Sequence, residues 1–391
     1  MIEEIAAAVE DLPVLFSLSF ALLAAWGALL AFRGDFWRAD QRLEEGSLEP
    51  ETFPAVTAVV PARNEADVIG AALSSLQAQD YQGDFHICVV DDGSEDGTAD
   101  AVRRAGIEDL LTGRDRPDGW TGKMWAVSQG VDHAREKWLG DRYIWLTDAD
   151  IAHHPGELST LIAQSENRNL DLNSAMVRLR MESFWDRLLI PAFVFFFQKL
   201  YPFPWVNDPD RSTAAAAGGS MLVNAGALKR IGGIGTIAGE LIDDCALAAA
   251  IKRSGGAIRL ALATETRSLR AYETVWDIWS MVARTAFHQL KYSALYLVGT
   301  VLGMAVLYLG PPVLTAVAAA QGEWPAAAGA FAAWFAMSWA YAPTLYRYGL
   351  NPWYGFALPV SALLYVLMTV DSARRHWAGR GGEWKGRAHR T

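Results

Sequence analysis

Between Pro13 and Phe32 the chain carries no charged side chain, and about 20 apolar residues are what a helix needs to cross a bilayer. No other feature narrows the fold so far, because a segment in lipid must satisfy its backbone polar groups within itself. The residues before it are acidic (Glu3, Glu4, Glu10, Asp11), unlike the basic start of a cleaved secretory signal. Arg33, Arg38 and Arg42 follow at once, and positive charge collects on the cytoplasmic side. The expectation is an extracytosolic N-terminus over 1–12, a transmembrane helix over 13–32 and a cytosolic domain after it. A second apolar block fills 292–370 as Tyr292–Ala320, Pro325–Tyr346 and Trp353–Val370, before a basic tail over 371–391. Three full crossings after a cytosolic domain would leave that tail outside, against the charge rule. Gly310-Pro311-Pro312 interrupts the first stretch as a broken helix, a re-entrant piece or a hairpin, so the number of C-terminal crossings stays open. The placement expected is a multi-pass protein of the inner, cytoplasmic membrane with its catalytic domain in the cytosol.

The segment 55–270 has the patterning of a soluble domain. Over all 391 residues, 52% are hydrophobic and 16 are Trp, which is rich for a soluble enzyme and too polar for a chain lying wholly in lipid. A formal charge of −10 argues against a general nucleic-acid binder. Cys88 and Cys245 lack C-x-x-C or zinc spacing and read as buried thiols in a reducing compartment.

Within 55–270, strands and helices alternate. Ala55–Val60 is a β-rich run ended by Pro61, and Ala66–Gln79 has helical spacing through Val68, Ile69, Leu73 and Leu76. Phe85–Val90 is a second strand, Thr98–Ala105 a helix, and Asp141–Thr147 a third strand. Such alternation predicts an α/β domain with a parallel sheet, whose ligands bind beyond the carboxyl ends of the strands. Polar clusters stand at all three ends: Arg63-Asn64-Glu65, Asp91-Asp92-Gly93-Ser94 and Asp148-Ala149-Asp150. The second alone also suits a turn and a helix cap. In the third, carboxylates at i and i+2 on a bend can face one hard cation, and Mg²⁺ or Mn²⁺ is usually held by one or two carboxylates plus substrate phosphates. His153 and His154 read as a solvated helix start.

The series Pro61-Ala62-Arg63-Asn64-Glu65, Val89 to Ser94 with Asp96 and Thr98, and Asp148-Ala149-Asp150 resembles the GT-A glycosyltransferases of family 2. Ala217-Gly218-Gly219-Ser220, Ile231-Gly232-Gly233 and Asp243-Asp244 are similar to that family's acceptor-side and catalytic segments. Arg114 with Gly119 to Lys123, and Trp384 to Arg387, look like the branch acting on hopanoids and carotenoids. The resemblance implies a Rossmann-like nucleotide-diphospho-sugar transferase domain plus transmembrane helices. It implies Arg63, Glu65, Asp91 and Asp92 at the nucleotide, Lys123 at the diphosphate, and Asp148 and Asp150 on Mn²⁺ or Mg²⁺. Asp148 would also contact the nucleotide-sugar through that metal. Asp244 would be the general base for one inverting displacement, with Asp243 beside it and Arg284 towards the diphosphate.

Two departures matter. Asp243 stands where the family often has Glu, and this pair also suits a solvated first turn of a helix. Of the processive Q-x-x-R-W motif, Met281-Val282-Ala283-Arg284-Thr285 keeps only the arginine, which favours transfer of a single sugar. The expected partners are a nucleotide-sugar donor, UDP-linked, a lipid acceptor and the membrane, and no nucleic acid. The aromatic segment 188–205 and the helix 274–290 with Trp276 and Trp279 read as interfacial helices; a buried core helix is the alternative for the first. Transfer to a polyprenyl phosphate and a non-catalytic lipid- or nucleotide-binding membrane protein are the competing functions.

Overall fold

The computed structural model describes residues 14–379 apart from 139 and 141. The expected N-terminus over 1–12, Trp384–Arg387 and the tail beyond Gly379 therefore lie outside the described residues. The chain forms two compact units: an α/β unit of Asp40–Arg180 and Phe203–Tyr272, and a helical unit running to Ala39 with Met181–Pro202 and Glu273–Arg375. The expected domain 55–270 is corrected on two counts. It begins earlier, and it yields 181–202 to the helical unit.

Among the described residues the α/β unit has nine strands: β1 Arg42–Leu43, β2 Val56–Ala62, β3 Phe85–Asp91, β4 Asp109–Thr112, β5 Tyr143–Leu146, β6 Ile151–Ala152, β7 Leu172–Arg178, β8 Met221–Asn224 and β9 Ile258–Ser268. Their order is β1-β9-β7-β8-β5-β2-β3-β4, with β6 paired to β9. The three strands and two helices read from the sequence are present, within a few residues, as β2, β3, β5, Ile69–Gln77 and Thr98–Arg104. The sheet is mixed rather than parallel: β8 runs antiparallel to β5 and β7, and β6 to β9.

Alternation along β2 sorts the layers. Val56, Ala58, Val60 and Ala62 join Ile69, Leu73, Val102, Leu158 and Leu161 in one core cluster. On the other face lies helix Gly122–Lys137, with Ala126 packed on Cys88 and Val90. It packs so closely that a Cβ on Gly130 would stand 2.5 Å from Val59 Cγ1. Both cysteines are buried, and neither is in a disulfide.

The register puts the site on one rim. Ala62 pairs with Asp91, and Val59 with Leu146, so β5, β2 and β3 end side by side. Because β8 is antiparallel, its beginning lies there too: Met221 pairs with Leu146. β7 and β9 run parallel, and since β7 and β5 both oppose β8, the end of β9 reaches the same rim.

Among the described residues, three segments of the helical unit are long and apolar enough to cross a membrane: Val14–Phe32, Ala294–Ala320 and Pro352–Trp377. Trp324–Arg347 packs on the first through small residues. A Cβ on Gly329 would lie 2.9 Å from Ser19 Oγ, and Ala326 and Ala327 cluster with Leu15 and Phe16. Gly310-Pro311-Pro312 does not break or reverse Ala294–Ala320, contrary to expectation. A π-turn over Ala305–Leu309 precedes it and the helix continues. Pro311 has no N–H for the Leu307 carbonyl, and Trp26 Nε1 donates to that oxygen instead at 2.9 Å. Helix Phe184–Leu200, expected in the interface plane, has much of its surface enclosed. Leu189, Ile190, Val194 and Phe195 are buried, while Phe184 and Leu200 at its ends are exposed. Helix Val275–Gln289 is tied to Leu358–Trp377 by Trp279 Nε1, which donates to Asp371 Oδ2 at 2.8 Å.

Candidate active site

Four of the charged residues singled out in the sequence meet at the rim. Lys123 Nζ lies 2.9 Å from Asp148 Oδ1 and 3.0 Å from Asp243 Oδ2. Lys123 sits in the first turn of Gly122–Lys137, a place that normally disfavours a cation, and two carboxylates offset that. Burial alone would lower its pKa; Asp148 and then Asp243 outweigh this and raise it, so it is firmly charged. Asp243 and Asp244 open helix Asp243–Arg253. The Gly218 N–H donates to Asp244 Oδ2 at 2.9 Å and the Cys245 N–H to Oδ1 at 2.7 Å. Burial, then the like charge of Asp243, pushes the Asp244 carboxyl up to about 6, against Lys123 and those two N–H groups. Gly218 is the hub: a Cβ there would lie 3.4 Å from Lys123 Nζ, 3.6 Å from Asp244 Oδ2 and 3.8 Å from Asp148 Oδ2. The cavity beside them has Met221, Ile234, Ile237 and Leu247 among its apolar walls.

The loops after β2 and β3 are laced together. Asn64 N–H donates to Ser94 Oγ at 3.0 Å, Glu65 N–H to Thr98 Oγ1 at 2.8 Å and Ala66 N–H to Asp96 Oδ2 at 3.0 Å. Asp91 Oδ1 accepts from the Ser94 N–H at 3.0 Å, the turn chemistry the sequence allowed. Arg63 is buried, and its guanidinium donates to the carbonyls of Asp92 and Gly93, bracing the loop from within. Arg284 lies on Val275–Gln289 in the helical unit, with an exposed side chain.

Asp148 and Asp150 turn to different cations. Asp148 faces Lys123, whereas Asp150 Oδ2 accepts from Arg270 Nε at 2.6 Å; Arg270 also reaches Glu65 Oε1 at 2.9 Å. Among the described residues no group of three or more His, Cys, Asp or Glu is arranged to hold a metal. The side chains present still fit a hard divalent ion. Asp148 is 35% exposed with its second oxygen towards Gly218, and substrate phosphates commonly complete the ligand sphere of such an ion.

Arg270 carries no motif and was not singled out in the sequence; only the return of β9 to the rim brings it in. His153 was expected in solvent and is instead fully buried. Its Nδ1 is 2.7 Å from Glu157 Oε2 and its Nε2 2.8 Å from Thr147 Oγ1, which in turn donates to Gly219 O at 2.9 Å. Ser220 Oγ donates to Glu157 Oε1 at 2.7 Å. Burial would raise the Glu157 pKa, but His153, Thr266 and Ser220 lower it, so a buried carboxylate braces the Asp148 loop against the Gly218–Ser220 turn. That His153 lies just before a helix was legible; that its side chain points inward, onto Glu157 at the helix start, was not.

Residues 57–231 match the family model "Glycosyl transferase family 2". The match takes in Lys123, Asp148, Asp150 and Gly218 and ends before Asp243, Asp244 and Arg270. A 4,4'-diaponeurosporenoate glycosyltransferase of Staphylococcus aureus (strain USA300) is 40% identical over 80 residues, 20% of this chain and 21% of that protein. The chain thus spans about a fifth of the length of the curated relatives it matches. Among solved structures, a mannosyltransferase from Pyrobaculum calidifontis, in complex with GDP-Man and Mn²⁺, superposes with a TM-score of 0.52 at 22% identity. That likeness covers 90% of this chain and 99% of the other and shows a shared fold. The α/β unit has the GT-A fold, joined in one chain to apolar helices of membrane-spanning length.

Proposed function

We propose that this chain, a glycosyltransferase with a family 2 domain over residues 57–231, moves one sugar from a nucleotide-sugar to a hydroxyl of a membrane lipid with inversion. The observation that carries this reading is the cluster of Lys123, Asp148, Asp243 and Asp244 around Gly218. Lys123 and the first turn of its helix supply positive charge where a diphosphate would lie. Asp243 is held by that lysine. Asp244, with no such ion pair and a pKa near 6, is ionised at neutral pH yet more basic than an ordinary aspartate. Its two backbone donors fix the carboxylate and leave a lone pair on each oxygen to take the proton of an acceptor hydroxyl. A bound Mn²⁺ or Mg²⁺ would offset the charge growing on the departing nucleoside diphosphate, with Asp148 as its ligand. Attack opposite the leaving group is a single displacement, so the anomeric configuration inverts.

The apolar cavity wall and the three membrane-length helices support a lipid acceptor, as does a relative named for glycosyl transfer to 4,4'-diaponeurosporenoate. Within that class we favour an isoprenoid alcohol of the hopanoid type, a UDP-linked donor, and an inner-membrane protein with its catalytic unit in the cytosol. The divalent cation is in keeping with the Mn²⁺ of the mannosyltransferase. The test is a screen of nucleotide-sugars against purified protein in detergent with Mn²⁺ and a lipid extract, read by mass spectrometry. One sugar per lipid is expected. A ladder of sugars refutes single transfer, and no hydrolysis or transfer with any donor refutes the catalytic reading.

A further inference from the structure

Pro352–Trp377 is long and apolar enough to cross a membrane, yet its packing within the helical unit does not carry it from one side to the other. Its neighbours define the two sides. Val14–Phe32 and Trp324–Arg347 run in the same direction: a Cβ on Gly329 would meet Ser19 near their beginnings, and the Trp37 and Trp339 rings are 4.6 Å apart towards their ends. Ala294–Ala320 runs the other way. Ala318 clusters with Leu15 and Phe16, a Cβ on Gly310 would lie 3.3 Å from Leu22 Cδ1, and the Leu307 carbonyl meets Trp26. Phe32, Ala294 and Arg347 therefore share one side, and Val14, Ala320 and Trp324 the other.

Pro352–Trp377 begins on the first of these sides and returns to it. Soon after Arg347, the tight 3₁₀ turn Pro352–Ala357 doubles back along Trp324–Arg347. A Cβ on Gly355 would lie 2.7 Å from the Ser338 carbonyl oxygen, and the Phe356 ring is 5.4 Å from that of Trp334 and 6.2 Å from that of Phe331. Trp334 stands near the middle of a 24-residue helix, so the turn lies at mid-depth. Such backbone is tolerated there only when protein surrounds it; Gly355 is buried, and Asn351 Oδ1 accepts from the Trp353 N–H at 3.0 Å. Leu358–Trp377 then leads back. The Phe287 N–H donates to Ser372 Oγ at 3.0 Å, and Ala373 clusters with Phe287 and with Leu297, in the first turn of Ala294–Ala320.

We infer that Pro352–Trp377 is a re-entrant segment, which enters the leaflet on the side of Arg33 and leaves it on that same side. Val360, Leu363, Leu367 and Val370, each 42–52% exposed and at helical spacing, then face the acyl chains of that leaflet alone. Among the described residues the unit crosses three times, by Val14–Phe32, Ala294–Ala320 and Trp324–Arg347. The last reaches about 36 Å at about 1.5 Å per residue, enough for a hydrocarbon core of about 30 Å. The charges agree with this path. Arg33, Arg38, Lys291, Arg347, Arg374 and Arg375 gather on one side, while the link 321–323 on the other has no Lys or Arg. Two crossings rather than three then follow Glu273, which removes the conflict between segment count and charge.

The test has two parts, and neither uses sugar transfer. A maleimide that cannot cross the membrane is applied to sealed spheroplasts holding full chains with Arg38→Cys, Gln321→Cys or Ala378→Cys, all at exposed positions. The parent, whose two cysteines are buried, is the blank. Ala378→Cys is expected to follow Arg38→Cys and to oppose Gln321→Cys, with all three labelled once the membrane is opened. Ala378→Cys following Gln321→Cys overturns the inference. In proteoliposomes, nitroxides on Trp353→Cys, Val360→Cys, Leu363→Cys, Leu367→Cys and Val370→Cys report depth as the ratio of collisions with oxygen to those with a water-soluble nickel chelate. The ratio is expected to be highest at positions 353 and 360 and to fall steadily to 370. A maximum at 363 with 353 and 370 both low is the profile of a crossing helix and overturns the re-entrant path. Low ratios at all five positions overturn its entry into the bilayer.

Discussion

Asp244→Asn separates what Asp244 contributes to transfer from what it costs the fold. Burial and the charge of Asp243 raise its carboxyl from 3.8 to about 6. At about 1.4 kcal/mol for each factor of ten, ionising it costs the folded protein about 3 kcal/mol relative to the unfolded chain. Because this acid is raised rather than depressed, the cost is absent below about pH 4 and complete above about pH 6. Asparagine keeps the shape and never ionises. Its amide has one acceptor where the carboxylate has two, so one backbone N–H loses its partner at every pH; the expected signature is that the variant gains up to about 3 kcal/mol on the parent between about pH 4 and pH 7.5. Transfer should move the other way, falling by about 10²–10⁴-fold, because a neutral alcohol must lose its proton as the bond forms. Thermal unfolding in detergent at the two pH values, with turnover measured on the same preparations, checks both halves. A stability difference between variant and parent that is the same at both pH values refutes the electrostatic account. One that transfers at the parental rate refutes the base and indicates an acceptor already ionised, such as a lipid phosphate.

Chelation should abolish transfer and added Mn²⁺ or Mg²⁺ restore it, with Asp148→Asn losing the metal response; full turnover in excess chelator would remove the metal role. Arg270→Ala should weaken nucleotide binding by about ten-fold as measured calorimetrically, because Glu65 and Asp150 lose the cation that ties their loops, and Arg270→Lys should recover part of it. Unchanged binding would make Arg270 a bystander. Gly130→Ala should destabilise the α/β unit by about 1–3 kcal/mol, since its Cβ would press on Val59; an unchanged melting temperature would show that the helix shifts freely.

The strands that lead into Arg63, Asp92 and Asp148 were legible because short β-rich apolar runs closed by polar clusters say both what a segment is and where it stops. The antiparallel entry of β8 was not legible. Met221–Asn224 is four residues long, and so short an apolar run carries no sign of its direction. The inward turn of His153 was hidden for a related reason. Its partners Thr147 and Glu157 are near in sequence, but the space that encloses them is built by Ser220 and Thr266 from distant strands. Likewise the two prolines after Gly310 looked like a break, because the indole that takes up the freed carbonyl comes from Trp26, far away in the chain.

That same return of distant strands explains why the catalytic reading rests on more than its motifs. Asp148 alone is a turn residue, and Asp243-Asp244 alone is a favourable helix start. Lys123 at the first turn of a helix is unfavourable by itself. A fold selected only for stability would gain by removing the charge of Asp244, whose ionisation costs it free energy at neutral pH. These groups meet where the turn before β8 sets Gly218 between them, with no side chain to fill the space. Locally unfavourable choices that converge on one open point are what a site for a dense anion and a proton acceptor requires, and no packing demand in the α/β unit accounts for them.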